Sequence, residues 1–397
     1  MPAPKKNEKP KPNSRDVVDF DAFMDSVIEQ TDGVRDITAK TDWFSSGIIA
    51  ANLALSGDPN KGMPWGRMIN FEGLSDTGKS LLAQTCIREA QKAHTSNFRC
   101  LYIDTERGVS MERLEQMGLF VRRKPKNKNK PNRAEWEDDT GDPRASTFRT
   151  IVTQDVSKLA DEILPPFFEG AKAHPEMRFI LCFDSISMLQ TSHETDTTFD
   201  TQDMARAKVI RKLMRILNAA TFPNMTIFCI HHQTTRISTT GMLSAKQGSH
   251  ERDVGGGTSV KYTPDVRLEV DYIGKEKRGS GEDAVVVGQQ CRIRVVKSRL
   301  YKPMLEAKVV IDHNCGFTVL GGLFEQLVDL KLVEAKGDRW TCKKVLGDKS
   351  FFKNNLQDEL EKSERVSQVA QLIMESMQIV AFGEGDNKSD AEDEPEA

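Results

Sequence analysis

The chain has 397 residues, with 56 Lys and Arg against 59 Asp and Glu and a formal net charge of −3. That balance excludes a protein that holds nucleic acid by bulk charge alone, and no apolar run reaches membrane-spanning length. Seven scattered cysteines without a C-x-x-C pair exclude a fully paired disulfide scaffold and make zinc a poor expectation, so a soluble cytoplasmic protein is expected.

Charge is distributed in blocks. Residues 1–15 carry five Lys/Arg against one Glu, residues 122–133 carry seven Lys/Arg, and residues 384–397 carry seven acids against one Lys. Such blocks read as solvated segments. The first is Pro/Lys/Asn-rich and reads as a disordered tail. Val17 to Gln30 follows with apolar residues at helical spacing, a small amphipathic helix suited either to a neighbouring subunit or to its own domain.

From about Thr41 strands and helices alternate. Candidate strands are 67–72, 100–104, 178–184, 225–231, 265–272, 290–296 and 307–311; helical stretches at 80–92, 156–173 and 203–219 separate the first four. This rhythm predicts an α/β fold with a mainly parallel twisted sheet covered on both faces. The later strands lack long helices between them, which predicts antiparallel hairpins at one edge. Residues 122–148 interrupt the pattern as a polar surface insertion. Beyond 321, a helix over 323–330, a hairpin over 332–342 and a long charged helix over 352–382 are expected.

Residues 73–80, Gly73-Leu74-Ser75-Asp76-Thr77-Gly78-Lys79-Ser80, form a complete G-x-x-x-x-G-K-S loop between an apolar strand and a helix. Backbone N–H groups in such a loop cradle phosphates where glycines leave room, Lys79 reaches the β- and γ-phosphates, and the Ser80 hydroxyl suits Mg²⁺. ATP and Mg²⁺ are the expected cofactors. Asp184 ends an apolar strand about 100 residues later, where a carboxylate supports Mg²⁺.

Asp104 and Glu106 end the strand before it and share a face if the strand continues through both; Glu106, further out, is the expected carboxylate for orienting water. Ile230-His231-His232-Gln233 closes a fourth strand in a polar cluster suited to sensing a γ-phosphate. Residues 234–257 form a long Thr/Ser/Gly-rich loop containing Arg236, Lys246 and Arg252 and closing in Gly255-Gly256-Gly257. On residues alone, a DNA-binding loop and a plain flexible loop are equally good readings.

Together these pieces resemble the RecA-type recombinases, most closely the bacteriophage UvsX-like branch. The resemblance spans roughly residues 45–345. It rests on residues 52–57 and 62–67 leading into the phosphate loop, on Val254 to Tyr262, and on Arg294-Val295-Val296-Lys297-Ser298-Arg299. It implies a RecA-like ATPase core at 41–320 (with the 122–148 insertion), preceded by a basic tail and helix at 1–40. A C-terminal helical and hairpin region at 321–382 and an acidic tail at 383–397 would follow. It implies that Glu106 is the catalytic glutamate and that His232, ahead of Gln233, senses the γ-phosphate. Lys297 and Arg299 would be cations inserted into a neighbouring subunit's ATP site, with Lys261 close by.

The same resemblance places a first DNA-binding loop at 191–202. Glu194, Asp196 and Asp200 crowd it, so DNA contact is expected from Arg206 and Arg211 on the next helix. Arg113 is the candidate for stacking on adenine. The implied function is ATP-dependent filament formation on single-stranded DNA, with pairing to double-stranded DNA and strand exchange. The implied partners are further copies of the chain in a helical filament, together with single-strand-binding and loader proteins, and no membrane. A phage-encoded chain would work in the host cytoplasm or nucleoid. A hexameric helicase of the same superfamily, or a mediator without strand exchange, are the competing readings.

Overall fold

The computed structural model describes residues 40–119, 147–190, 202–235, 252–254, 258–278, 284–352, 355–356, 359–360 and 365–383, and the short paired strands at 124–125 and 136–137. Side chains of 202–207, 234–235, 252–254, 258 and 377–383, and of some neighbouring C-terminal residues, lie outside that description. The chain divides into two compact units, 1–41 and 42–397. The expected helix over 17–30 and the tail at 384–397 fall outside the described residues.

A ten-stranded sheet organises the second unit. Its strands are β1 (Met68–Gly73), β2 (Phe98–Asp104), β3 (Phe148–Val152), β4 (Arg178–Asp184), β5 (Met225–Thr235), β6 (Arg252–Val254), β7 (Val266–Arg278), β8 (Val285–Ser298), β9 (Glu306–Asp312) and β10 (Gly316–Phe317). The order is β10-β9-β8-β7-β1-β5-β4-β2-β3, with β6 paired to β5. The run from β7 to β3 is parallel, while β7 to β10 are joined antiparallel. A mainly parallel sheet with hairpins at one edge was expected, and it is what forms.

The central strands are apolar nearly throughout because both faces are covered. Period-two alternation sorts their side chains. Ile69, Phe71, Tyr102, Cys182, Phe228 and Ile230 share a core with helices α1 (Ile49–Ser56) and α2 (Lys79–His94). Met68, Ile103, Leu181, Phe183, Ile227 and Cys229 pack on the other side against α4 (Leu164–Ala173) and α5 (Gln202–Ala219). This parity decides which polar side chain at each strand end faces the nucleotide helix. Between them in sequence, α3 (Met111–Gln116) follows β2.

Four expectations need correction. Strand β2 stops at Asp104, so Glu106 lies in the following turn and the shared-face argument for the two acids does not apply. Strand β3 was not foreseen: Phe148 was assigned to the insertion, but it is buried beside Tyr102, with ring centroids 5.8 Å apart, and opens a parallel edge strand. The long loop at 234–257 begins and ends as a ribbon, since β5 runs to Thr235 and pairs with β6 through Gln233–Val254. The C-terminal helix is shorter than 352–382. Phe351 is drawn into a third strand beside Trp340, and α8 spans only Val366–Gly383.

The 156–173 stretch is helical as expected, with a π-helical segment at Leu159–Ile163 before Pro165 and Pro166. Those prolines sit in the first turn of α4, where a missing N–H costs little. The C-terminal helix α7 (Leu323–Asp329), the 334–336/339–341 hairpin and α8 share a core with Leu53 of α1. Among the described residues no helix is long and apolar enough to cross a membrane.

Candidate nucleotide site

The loop between β1 and α2 is shaped by close backbone packing. A Cβ at Gly73 would lie 2.3 Å from the Val270 carbonyl oxygen, so only glycine fits. Gly78 takes φ +93° as the residue before α2, and a Cβ there would meet Ile311 at 2.5 Å. Asp76 is also left-handed, at φ 60°. No acceptor among the described residues takes the N–H groups of Ser75, Asp76, Thr77 or Gly78. A run of unclaimed N–H groups at a helix N-terminus is an anion cradle.

Lys79 is buried, with its amine on the Leu74 carbonyl. Burial lowers its pKa, while the charges of Asp184, Glu106 and Asp76 oppose that shift. Ser80 Oγ donates to Asp184 Oδ1 at 3.1 Å, and Tyr102 donates to Asp184 Oδ2 at 2.5 Å. The Asp184 carboxyl is pushed up by burial, with Glu106 and Asp104 adding repulsion. A buried carboxylate with two acidic neighbours and a hydroxyl in contact fits a divalent cation, which would relieve that repulsion. The residues present therefore fit a Mg²⁺–triphosphate.

Asp104 and Glu106 separate in role. Asp104 accepts the N–H groups of Glu106, Gly108 and Val109 at 3.1, 3.2 and 3.1 Å and so ties down the turn. Glu106 points into the site, accepting from Ser185 Oγ at 2.5 Å and meeting His232 Nε2 at 2.7 Å. Burial alone would raise its pKa. The hydrogen bonds from Ser185 and His232, with the nearby charges of His232 and Lys79, outweigh burial and lower it. Thr105 knits the two strand ends together, donating its N–H to Asp184 O and its hydroxyl to Ser185 O.

His232 pairs in register with Gly73, on the α2 side of the sheet. Gln233, by alternation, faces the opposite side and is buried. His231 is wholly buried on that opposite side, and neither ring nitrogen has a partner among the described residues. Burial pushes its pKa down to about 3, so it is neutral. Tyr102 and Ser185 were missed by sequence reasoning. Tyr102 reads as one more apolar strand residue, and only the parity it shares with Asp184 points to the site.

Arg113, on α3, donates to the His313 carbonyl at 2.9 Å, in the turn that follows β9. The neighbouring Gly316 approaches Leu81 of α2, so this turn walls the site beyond the phosphate loop.

The profile of the RecA N-terminal domain matches residues 176–318. Protein RecA of Bartonella bacilliformis is 27% identical over 307 residues, covering 77% of this chain and 75% of that protein. Protein RecA of Wolinella succinogenes is 24% identical over 364 residues, covering 88% and 89%. The DNA repair protein recA homolog 1, chloroplastic, of Arabidopsis thaliana is 25% identical over 338 residues, covering 83% and 66%. Over residues 176–318 the chain is similar to the RecA N-terminal domain, and over most of its length to proteins named RecA.

The positions of Lys297 and Arg299 are informative. Val266 pairs with both Ile69 and Ser298, so these cations sit beside the start of β1. Gly73 is four residues further along, about 13 Å at ~3.3 Å per residue, and β8 lies two strands away, about 10 Å. Neither cation reaches this chain's own phosphate loop. Lys297 donates to the carbonyls of Tyr262 and Pro264, both at 2.6 Å, and Arg299 pairs with Asp265 at 3.2 Å. Burial and the charge of Arg299 lower the Lys297 pKa.

Of the expected DNA contacts, Arg211 is exposed on α5, a helix whose Ile210, Met214 and Leu217 are buried. Arg206 and Arg252 lie on α5 and β6, placed by their backbone alone. Arg236, Lys246 and Gly255 to Gly257 lie outside the described residues.

Proposed function

We propose that this chain is an ATP-dependent DNA recombinase that assembles on single-stranded DNA and promotes pairing and strand exchange with a homologous duplex. The single observation that carries this reading is the 2.7 Å contact between Glu106 and His232. It joins the carboxylate suited to orienting water to the strand that runs directly into the polar loop. A plain phosphate-binding protein has no need of that link.

In this reading Gly73 to Ser80 hold the triphosphate through backbone N–H groups and Lys79. Mg²⁺, when bound, supplies charge neutralisation on the β- and γ-phosphate oxygens. Ser80 and Asp184 hold that ion, Glu106 orients the attacking water, and His232 reports the γ-phosphate to the loop. Arg113 and the turn at His313 bound the base. Lys297 and Arg299 serve the site of the next protomer, since they stand far from their own, as an arginine finger does in trans. Arg206, Arg211, Arg236, Lys246, Arg252 and Gly255 to Gly257 contact DNA, mainly at phosphates. His232 at the strand end favours the UvsX-like branch within the family.

The test is electron microscopy and strand exchange on the purified chain with single-stranded DNA, with and without ATP. Helical filaments and product formation that depend on ATP are expected. Closed rings, or DNA binding indifferent to ATP, overturn the reading.

A further inference from the structure

Behind the nucleotide site, on the sheet face away from α2, lies a buried polar cluster that the proposed reaction does not use. Glu72, fully buried on β1, takes a bidentate pair from Arg267 of β7, with both contacts at 2.7 Å. Asn70, two residues earlier and on the same face, donates to Glu72 at 3.3 Å and to the carbonyl of Val260 at 3.0 Å. Val260 belongs to α6 (Thr258–Tyr262), the first element after the long polar loop. On its other side the loop is tied through β6 to β5, where Val254 pairs with Gln233, next to His232.

The cluster also holds unused hydrogen-bonding capacity. Asn70 Oδ1, Gln233 Oε1, Ser259 Oγ and both nitrogens of His231 are buried without a partner among the described residues. His231 stands opposite Glu72 in register. Unmet polar groups are costly, so a pairing that satisfies them in another position of α6 competes with this one.

We propose that Asn70 and Glu72 are positioning residues: with Arg267 they hold α6 in register with the strand carrying His232, so that the loop's engagement with DNA is transmitted to Glu106. This rests on the recombinase reading above. The brace is built on the phosphate-loop strand itself, three residues or fewer from Gly73. A shift of α6 is therefore felt at both ends of the site.

The experiment compares phosphate release with and without single-stranded DNA, alongside binding of a fluorescent ATP analogue. The wild-type chain is set against Asn70→Leu, which cuts the link to α6 and leaves the Glu72–Arg267 pair. A second variant, Glu72→Met with Arg267→Met, replaces the buried pair by apolar groups rather than stranding one charge. Both variants are expected to bind nucleotide and turn it over without DNA within about twofold of wild type, while stimulation by DNA falls about tenfold. Wild-type stimulation in either variant overturns the proposal. So does a parallel loss of basal and stimulated rates with their ratio intact, which marks a merely structural role. A wild-type protein whose turnover ignores DNA instead overturns the recombinase reading on which the proposal stands.

Discussion

Glu106 and Asp184 are two carboxylates in one site whose surroundings push them in opposite directions, the usual sign of divided roles. Glu106 stays charged below its ordinary range because Ser185, His232 and Lys79 outweigh burial. Its folded pKa is lowered, so its stabilising contribution is present above the unfolded value and is lost as pH falls through the folded one. Loss of activity on acidification between pH 8 and 5 should not come from Glu106. Glu106→Gln should preserve nucleotide binding and cut phosphate release by about 10²-fold or more; unchanged turnover would return the role to Asp104. Asp184 is the reverse case. Burial raises its pKa, so its charge costs stability increasingly as pH rises from 3.8 through the folded value. Asp184→Asn should therefore raise the neutral-pH melting temperature, by about 2 °C or more, while abolishing Mg²⁺-dependent turnover. A lower melting temperature would mean that the hydrogen bonds from Tyr102 and Ser80 outweigh the charge.

At the scale of elements, α1 joins the sheet to the C-terminal region. Leu53 is fully buried among Leu323, Leu327, Val345 and Ile373. Leu53→Ala should cost about 2–5 kcal/mol, measured by denaturant unfolding. It should also open the region after residue 321 to protease before the sheet. The strands carrying the site were legible because both-face burial leaves long apolar runs, as in 178–184, and because the phosphate loop marks its own strand and helix. Strand β3 was hidden because Phe148 to Val152 is a short edge strand with its middle half exposed. The β5–β6 ribbon was hidden because its Thr, Gln and Asp residues carry no strand pattern, and pairing across a long loop cannot be read locally. Within the site, the motif residues were legible one by one. Tyr102, Ser185 and the Glu72–Arg267 pair emerge only when strand register brings distant positions together.

At the scale of the whole molecule, the two halves of the proposed catalytic machinery stand at opposite ends of the strands of the same sheet. Lys79, Ser80, Glu106 and Asp184 gather at the carboxyl ends of the parallel strands, while Lys297 and Arg299 sit beside the amino end of β1. A single protomer therefore presents one half of a site at each end of the strands, which suits open head-to-tail assembly. Lys79→Ala should abolish nucleotide-dependent assembly when tested alone, and Lys297→Ala should lose turnover only in the assembled state. Mixing the two variants makes a sharper test. Where a Lys297→Ala protomer supplies the phosphate loop and a Lys79→Ala protomer supplies the cation, the shared site is intact. Random co-assembly at equal amounts should place such a site at about a quarter of interfaces, restoring phosphate release that neither variant gives alone. Restoration requires that the cation act across the seam. A mixture no more active than its parts, under conditions where both variants enter the same filaments, would show that Lys297 serves only its own chain.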